Sequence, residues 1–140
     1  MKIRTSLAAM AFAVLGAPAL ASSAAELQCL AETVYHEARG EPYEGQLAVA
    51  EAIMNRVHAK EFPTTICGVT RQPQQFAPRR KVGNKAAYDV AVRVARLAVA
   101  GQTGGAVKGA TYFHTPAVSP SWSRKFTRTG RIGNHIFYKP

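Results

Sequence analysis

The segment "YHEARGEPYEGQ", residues 35–46, gathers side chains that exchange protons in a chain that is otherwise poor in acid. Glu37, Glu41 and Glu44 lie here beside His36, although the whole chain holds only 8 Asp and Glu residues. Such a cluster fits three hypotheses: a solvated helix end, part of a metal site, or the general acid of an enzyme. The spacing of the residues and the local secondary structure help to separate them.

The metal hypothesis rests on His36 and Glu37, which begin the zinc-protease pattern H-E-x-x-H. In that pattern two histidines one helical turn apart share a metal ion. Position 40 is Gly40, so the second ligand is missing, and His114 and His135 are far away in the sequence. We therefore expect neither a bound metal nor another cofactor.

The general-acid hypothesis rests on the position of Glu37 in the last turn of a predicted helix. Negative charge there opposes the helix macrodipole at a cost of roughly a few tenths of a kcal/mol. A local conflict of this kind is typical of functional sites. If the carboxyl is shielded from water, its raised pKa would let it donate a proton to the leaving oxygen of a glycosidic bond. A solvated carboxylate at the helix end remains the alternative.

A second carboxylate is hard to find. Glycosidases usually place one about 5–5.5 Å or about 6.5–9.5 Å from the acid. Asp89 is the only aspartate and lies in a basic helix, while Glu41 follows the helix-breaking Gly40 and is better suited to bind loop amides. A single acid fits lytic cleavage of a muramyl glycan, in which the 6-hydroxyl of the sugar attacks its own anomeric carbon and one glutamate serves as acid and then as base.

The elements that position these residues follow from hydrophobic periodicity. Apolar residues recur at three- and four-residue steps, which predicts helices over 26–38, 43–59 and 85–100. Alternating, aromatic-rich segments predict strands at 110–114 and 135–139. The segment 64–84 is predicted to be a long irregular loop, and the segment 115–134 a long, basic connection between the two strands. Together they predict an α+β domain, mainly helical, with three core helices and a small antiparallel sheet.

The first 21 residues have the layout of a secretory signal peptide. Lys2 and Arg4 precede an apolar stretch over 7–15, which is too short to span a bilayer, and a small-residue site ends at Ala21. An N-terminal helix of the domain is the alternative. We expect residues 22–140 to form one exported domain without a membrane span, periplasmic or extracellular, and monomeric.

The net charge of the chain indicates the class of partner that it binds. Lys and Arg number 18, which gives the chain a net charge of +10 and favours an anionic polymer. Export makes a cell-wall polymer a better candidate than nucleic acid.

Cys29 and Cys67 in an exported protein predict one disulfide, worth about 2–4 kcal/mol, that braces the acidic segment between them. Two separately buried thiols are the alternative.

Three stretches carry a resemblance to a known family: "LAETVYHEARGEPYEGQLAVAEAIMNRV", "FPTTICGVTRQPQQFAP" and "ATYFHT…SPSW…GRIGNHIFYKP". In this order they resemble the cell wall hydrolases of the spore-cortex-lytic SleB and CwlJ type. The resemblance covers nearly all of residues 22–140. It implies a lysozyme-like fold that acts on peptidoglycan glycan strands, as a lytic transglycosylase between N-acetylmuramic acid and N-acetylglucosamine. A hydrolysing muramidase and a non-catalytic cationic wall-binding protein are the alternatives.

The resemblance also assigns residues. The family's E-A-R-G-E motif places the catalytic glutamate on Glu37. Other matching motifs fall on residues that would bind substrate: Gln75, Tyr112, His114 and Trp122. Gln75 would orient an N-acetyl group and Trp122 would stack on a sugar ring, whereas Tyr112 and His114 share one strand face and would line a groove, with His114 bonding substrate or Glu37. Each of these side chains could instead serve only packing.

Other residues are expected to be structural. These are Glu41 and the two cysteines, with Asn55 and Arg56 pinning the second helix and Glu51 in a surface ion pair. Ala77 departs from the family pattern, since many relatives have Ser or Thr there, and this puts in doubt any hydrogen bond supplied at that position.

Overall fold

The computed structural model describes residues 17–140, with side chains described from Ser23 onward. Its elements are α1 (Ala17–Ala38), α2 (Tyr43–His58), α3 (Ile66–Thr70), α4 (Lys85–Val99), β1 (Tyr112–His114), a 3-10 helix (Ser121–Arg124), β2 (Thr127–Ile132) and β3 (His135–Lys139). Residues 1–16, which hold most of the predicted signal peptide, lie outside the described range, so that peptide stays a prediction. In the described part of the chain, no helix is both long and apolar enough to cross a membrane.

Three helices form the core. The apolar faces of α1, α2 and α4 pack together around fully buried side chains, which include Leu30, Val34, Val49, Ile53 and Val94. Small residues between them, such as Ala50, Ala52 and Ala95, let the helix backbones approach closely. The prediction of three core helices is confirmed, and each begins or ends within two residues of its predicted boundary, apart from the start of α1.

Loop contacts fix the helix ends. Gly40, with φ +90°, takes the left-handed conformation that ends α1. The Asn84 side chain accepts a hydrogen bond from the Ala87 N–H and caps α4. The Tyr35 hydroxyl accepts hydrogen bonds from the N–H groups of Gly83 and Asn84 at 3.2 and 3.1 Å, which ties the loop before α4 to α1.

The sheet has three antiparallel strands in the order β1-β3-β2. Strand β3 matches its predicted segment and β1 covers the last three residues of the segment predicted at 110–114, whereas β2 lies in the predicted long, basic connection. Its sequence "TRTGRI" lacks the apolar alternation that marks a half-buried strand, and it pairs only as an edge strand beside β3. Hydrogen bonding to β3, rather than its own composition, makes it a strand.

Helix α3 also corrects the prediction of an irregular segment over 64–84. It spans only five residues, which is too short for a helical period to show. The Glu26 carboxylate accepts hydrogen bonds from the Ile66 and Cys67 N–H groups at the start of α3. The predicted disulfide between Cys29 and Cys67 is confirmed, with 5.3 Å between the two Cα atoms, and it joins α1 to α3.

Reduction of this disulfide is expected to lower the free energy of unfolding by about 2–4 kcal/mol, because the bond closes a loop of 38 residues in the unfolded chain. Urea denaturation with and without dithiothreitol measures the difference. The double variant Cys29→Ala/Cys67→Ala should unfold at the same urea concentration with and without reductant. Equal stability of the oxidised and reduced wild type would contradict the bracing role.

The turn between β2 and β3 supplies a second stability test. Gly133 has φ +57° in the two-residue loop between Ile132 and His135, and a Cβ there would overlap the Glu41 carboxylate. Gly133→Ala is expected to cost about 1–2 kcal/mol from the left-handed backbone alone. Gly130→Ala in the same hairpin is the control, since a Cβ at Gly130 meets no atom within 4 Å. Equal urea midpoints for the two variants would contradict this account of the turn.

Candidate active site

Glu37 faces a cleft of about 360 Å³ between the helical core and the sheet. The cleft is lined by Glu37, Arg56, Gln74, Gln75, Tyr112, Phe113, His114, Thr115, Val118, Pro120, Trp122 and His135. All five residues that the sequence predicts for catalysis or substrate binding are in this set. They come from α1, the loop after α3, β1 and the 3-10 helix, so the fold brings together segments that are distant in the sequence.

The Glu37 side chain is half-buried, so its carboxyl is partly shielded from water. Burial raises its pKa, against the smaller opposing effects of a hydrogen bond from the Ala77 N–H and of the Arg56 charge. A raised pKa keeps the carboxyl protonated to a higher pH than an exposed glutamate, as a general acid requires. The hydrogen bond comes from the backbone of Ala77, so the absence of a Ser or Thr side chain at position 77 leaves it intact.

Arg56 lies beneath the cleft and is only 3% exposed. Its Nε donates to the Thr111 carbonyl at 2.6 Å, and its Nη1 donates to the Gln75 side-chain carbonyl at 3.1 Å. Its guanidinium carbon also lies 4.8 to 5.0 Å from the ring centroids of Phe62, Phe76 and Tyr112.

Arg56 therefore pins α2 to the segment before β1, as does Asn55, whose side chain donates to the Ala110 carbonyl at 3.0 Å. These contacts agree with the prediction that Asn55 and Arg56 pin the second helix. The sequence did not predict that Arg56 lines the cleft, because nothing in the local sequence marks it as a buried cation.

Gln75 is exposed, and its carbonyl oxygen is occupied by Arg56. This contact fixes the orientation of the side-chain amide, because a guanidinium can bond only to the oxygen. The Gln75 NH₂ group is consequently the part of the side chain that can reach a ligand in the cleft. An N–H donor in this position suits the carbonyl of an acetamido group.

Aromatic rings form one wall of the cleft. Trp122 lies 5.1 Å from Tyr112 and 5.6 Å from His114 between ring centroids, and His114 stacks on Tyr138 at 5.3 Å. The His114 Nδ1–H donates to the Thr115 carbonyl at 2.8 Å, and its Nε2 accepts from the Tyr138 hydroxyl at 3.1 Å. Both ring nitrogens are thus engaged within the protein, and His114 makes no hydrogen bond to Glu37 in this structure.

A second pocket of about 500 Å³ shares Glu37, Thr115 and His135 with the first. Its lining consists of Glu37, Glu41, Thr115, Pro116, Ala117, Arg131, Asn134 and His135. The Glu37 carboxyl therefore borders both pockets. A reactive group placed between two pockets can act on a bond inside a polymer, with one part of the chain on each side.

Glu41, the nearest further acid in the sequence, is held by the fold. Its Oε2 accepts a hydrogen bond from the Asn134 N–H at 3.0 Å, which links the loop after α1 to the turn between β2 and β3.

Glu51, expected in a surface ion pair, is instead 8% exposed, and that expectation is wrong. Over residues 17–140, no three His, Cys, Asp or Glu side chains converge in a way that would hold a metal ion.

A mainly helical domain with one shielded carboxyl between two pockets and an aromatic wall falls in the lysozyme-like class. The chain belongs to the cell wall hydrolase family, whose model matches residues 40–138. The match begins just after Glu37, so the position of this carboxyl is supported by the geometry of the cleft rather than by the matched segment.

Curated proteins of similar sequence support the family assignment. The chain is 40% identical to the spore cortex-lytic enzyme of Halalkalibacterium halodurans over an alignment of 117 residues. This alignment covers 80% of this chain and 34% of that protein. It is 36% identical over 115 residues to the spore cortex-lytic enzyme of Bacillus subtilis, covering 80% and 37%. The chain thus spans about a third of the length of these curated relatives.

Solved structures of relatives have the same fold. The catalytic domain of the germination-specific lytic transglycosylase SleB from Bacillus anthracis superposes with a TM-score of 0.67 at 33% identity, covering 81% of this chain and 93% of that one. The catalytic domain of the Bacillus cereus SleB protein gives a TM-score of 0.65 at 32% identity, covering 81% and 89%. The lysozyme-like fold implied by the sequence resemblance is confirmed.

Proposed function

We propose that this domain is a lytic transglycosylase that cleaves peptidoglycan glycan strands between N-acetylmuramic acid and N-acetylglucosamine. The observation that carries the proposal is the half-buried Glu37 side chain, which lines two pockets. The description of the Bacillus anthracis relative as a lytic transglycosylase supports the same chemistry. The wall location of the substrate also suits the basic charge of the chain.

The reaction needs one carboxyl. Protonated Glu37 donates its proton to the glycosidic oxygen as the bond from that oxygen to the anomeric carbon breaks. The 6-hydroxyl of the muramic acid then bonds to the anomeric carbon and loses its proton to the Glu37 carboxylate. The products are a 1,6-anhydro-muramic end and a free hydroxyl on N-acetylglucosamine, and Glu37 returns to its protonated form.

The neighbours of Glu37 have distinct tasks in this reaction. The Ala77 N–H and the Arg56 charge stabilise the carboxylate during its brief ionised stage, because both favour the charged form. Glu41 stays a structural residue through its bond to the Asn134 N–H. Trp122 and Tyr112 offer aromatic faces for sugar rings, and the Gln75 amide suits an N-acetyl carbonyl.

The site of action follows from the predicted signal peptide. We propose that residues 1–21 direct export and are removed, and that the domain acts as a monomer on the wall in the periplasm or outside the cell. Lys and Arg residues would draw the domain toward anionic wall polymers, an effect that weakens as salt rises.

Digestion of purified peptidoglycan with the protein, followed by mass spectrometry of the soluble fragments, tests the proposal. We expect fragments that end in 1,6-anhydro-muramic acid. Reducing muramic ends would show a hydrolysing muramidase that uses water in place of the 6-hydroxyl. Retention of the protein on the wall without soluble fragments would show a binding protein and overturn the enzymatic proposal.

A further inference from the structure

His135, the first residue of β3, has no role in the mechanism above. At 2% exposure it is the least exposed polar side chain in the described part of the chain. Its side chain lines both pockets, a property shared only with Glu37 and Thr115. His135 therefore lies in the wall where a sugar chain would pass Glu37.

The His135 ring is held by packing alone on its buried side. Its Nδ1 is buried and has no hydrogen-bond partner within residues 17–140. The ring meets Phe113 edge to face, with 5.2 Å between centroids, and lies 6.3 Å from Phe137. A buried polar atom without a partner works against folding, and a phenylalanine would fill the same space without that penalty. Such a conflict is expected where function overrides stability.

The unpartnered Nδ1 also indicates the tautomer. A buried N–H without an acceptor is rarer than a buried lone pair without a donor. The neutral ring consequently carries its proton on Nε2. This leaves the Nε2–H as the donor that the ring can present to the groove.

We propose that His135 is a substrate-binding residue whose imidazole N–H donates a hydrogen bond to a hydroxyl or acetamido oxygen of the sugar that spans the two pockets. This role rests on the proposed function, because it requires a glycan in the groove. It assigns His135 to the same bound sugar as Glu37, since both residues line the two pockets.

The charge state of His135 suits such a contact. Burial lowers its pKa, the Glu41 charge opposes this effect, and His114 adds to it. A neutral imidazole can bind next to the anomeric carbon without repelling the positive charge that develops on the sugar ring in the transition state. A protonated histidine in the same place would oppose that charge.

The test compares His135→Phe with His135→Gln, both in the Glu37→Gln background, so that glycan binds without being cut. The ligand is soluble, uncross-linked peptidoglycan glycan, and its dissociation constant is measured by titration calorimetry. We expect His135→Phe to weaken binding about tenfold, as loss of one hydrogen bond predicts. His135→Gln, which keeps a donor, should bind within about threefold of the background. His58→Phe, at an exposed histidine that ends α2, is the matched control and should not change binding.

His135→Phe should weaken glycan binding but should not lower the stability of the protein. His135→Phe should melt at the same or a higher temperature than the background protein, because it removes the unpartnered nitrogen. The imidazole ¹⁵N signals of His135 should also shift when the glycan is added. Equal affinity of the Phe and Gln variants, with unmoved ¹⁵N signals, would overturn the role of His135 alone. Failure of the Glu37→Gln protein itself to bind glycan would overturn both this role and the proposed function.

Discussion

Glu37→Gln is expected to lower the rate of fragment release from peptidoglycan by about a thousandfold or more. A positioned general acid or base contributes about 10²–10⁴-fold, and here one carboxyl serves in both capacities. The side-chain amide of glutamine cannot donate a proton to the leaving oxygen or accept one from the 6-hydroxyl. Rates of soluble fragment release under identical conditions measure the effect.

The same variant should keep its fold. Its side-chain carbonyl can still accept the hydrogen bond from the Ala77 N–H. Because the pKa of Glu37 is raised by burial in the folded state, the wild type loses stability as pH rises from the unfolded to the folded pKa. Above that window the neutral glutamine should make the variant at least as stable as the wild type.

Two glutamates supply controls for this prediction. Glu44→Gln removes an exposed carboxylate from the same segment and should leave activity unchanged. Glu41→Gln should keep its fold and most of its activity, because its side-chain carbonyl can still accept the hydrogen bond from the Asn134 N–H. An active Glu37→Gln protein, or a folded but inactive Glu41→Gln protein, would show that the acid is assigned to the wrong residue.

Arg56→Met should produce the largest loss of stability of any single substitution proposed here, about 2–4 kcal/mol. It removes two hydrogen bonds from a charged donor, each worth about 1.5–3 kcal/mol, and leaves the buried Thr111 carbonyl without a partner. Relief of the cost of burying the guanidinium offsets part of this loss. Urea denaturation measures the change.

Arg93→Met is the matched control, because Arg93 is exposed on α4 and its replacement should change stability by less than about 0.5 kcal/mol. Arg56→Met should also raise the pKa of Glu37 further, since the Arg56 charge lowers it in the wild type. The pH at which activity declines should therefore move upward in Arg56→Met. Equal stability of the two methionine variants would contradict the structural part of this prediction.

The helices were predictable from the sequence because their apolar residues repeat with the helical period over more than three turns. The strands β1 and β3 were predictable from alternation. The exposed strand β2 was not, because its side chains carry no such pattern and its structure depends on pairing with β3. The five residues of α3 are too few to show a period, and its start is stabilised by Glu26, which lies 40 residues earlier.

Some residues of the candidate site could likewise be predicted from the sequence, and others could not. Glu37 could be predicted because its charge conflicts with its place at a helix end, and the family motif points to the same residue. Arg56 and His135 could not, because burial of a polar side chain depends on residues that are distant in sequence. Arg56 is buried by rings of the later loop and of β1, and His135 by Phe113 and Phe137.

The most direct measurement is the titration of the Glu37 carboxyl by ¹³C NMR in the folded protein, with Glu37→Gln used to assign the signal. We expect the midpoint to lie clearly above about 4.3, the ordinary pKa of glutamate, because burial disfavours the ionised form. Peptidoglycan cleavage should decline as pH rises through that same midpoint. A Glu37 midpoint at or below the ordinary value would contradict the assignment of this carboxyl as the proton donor.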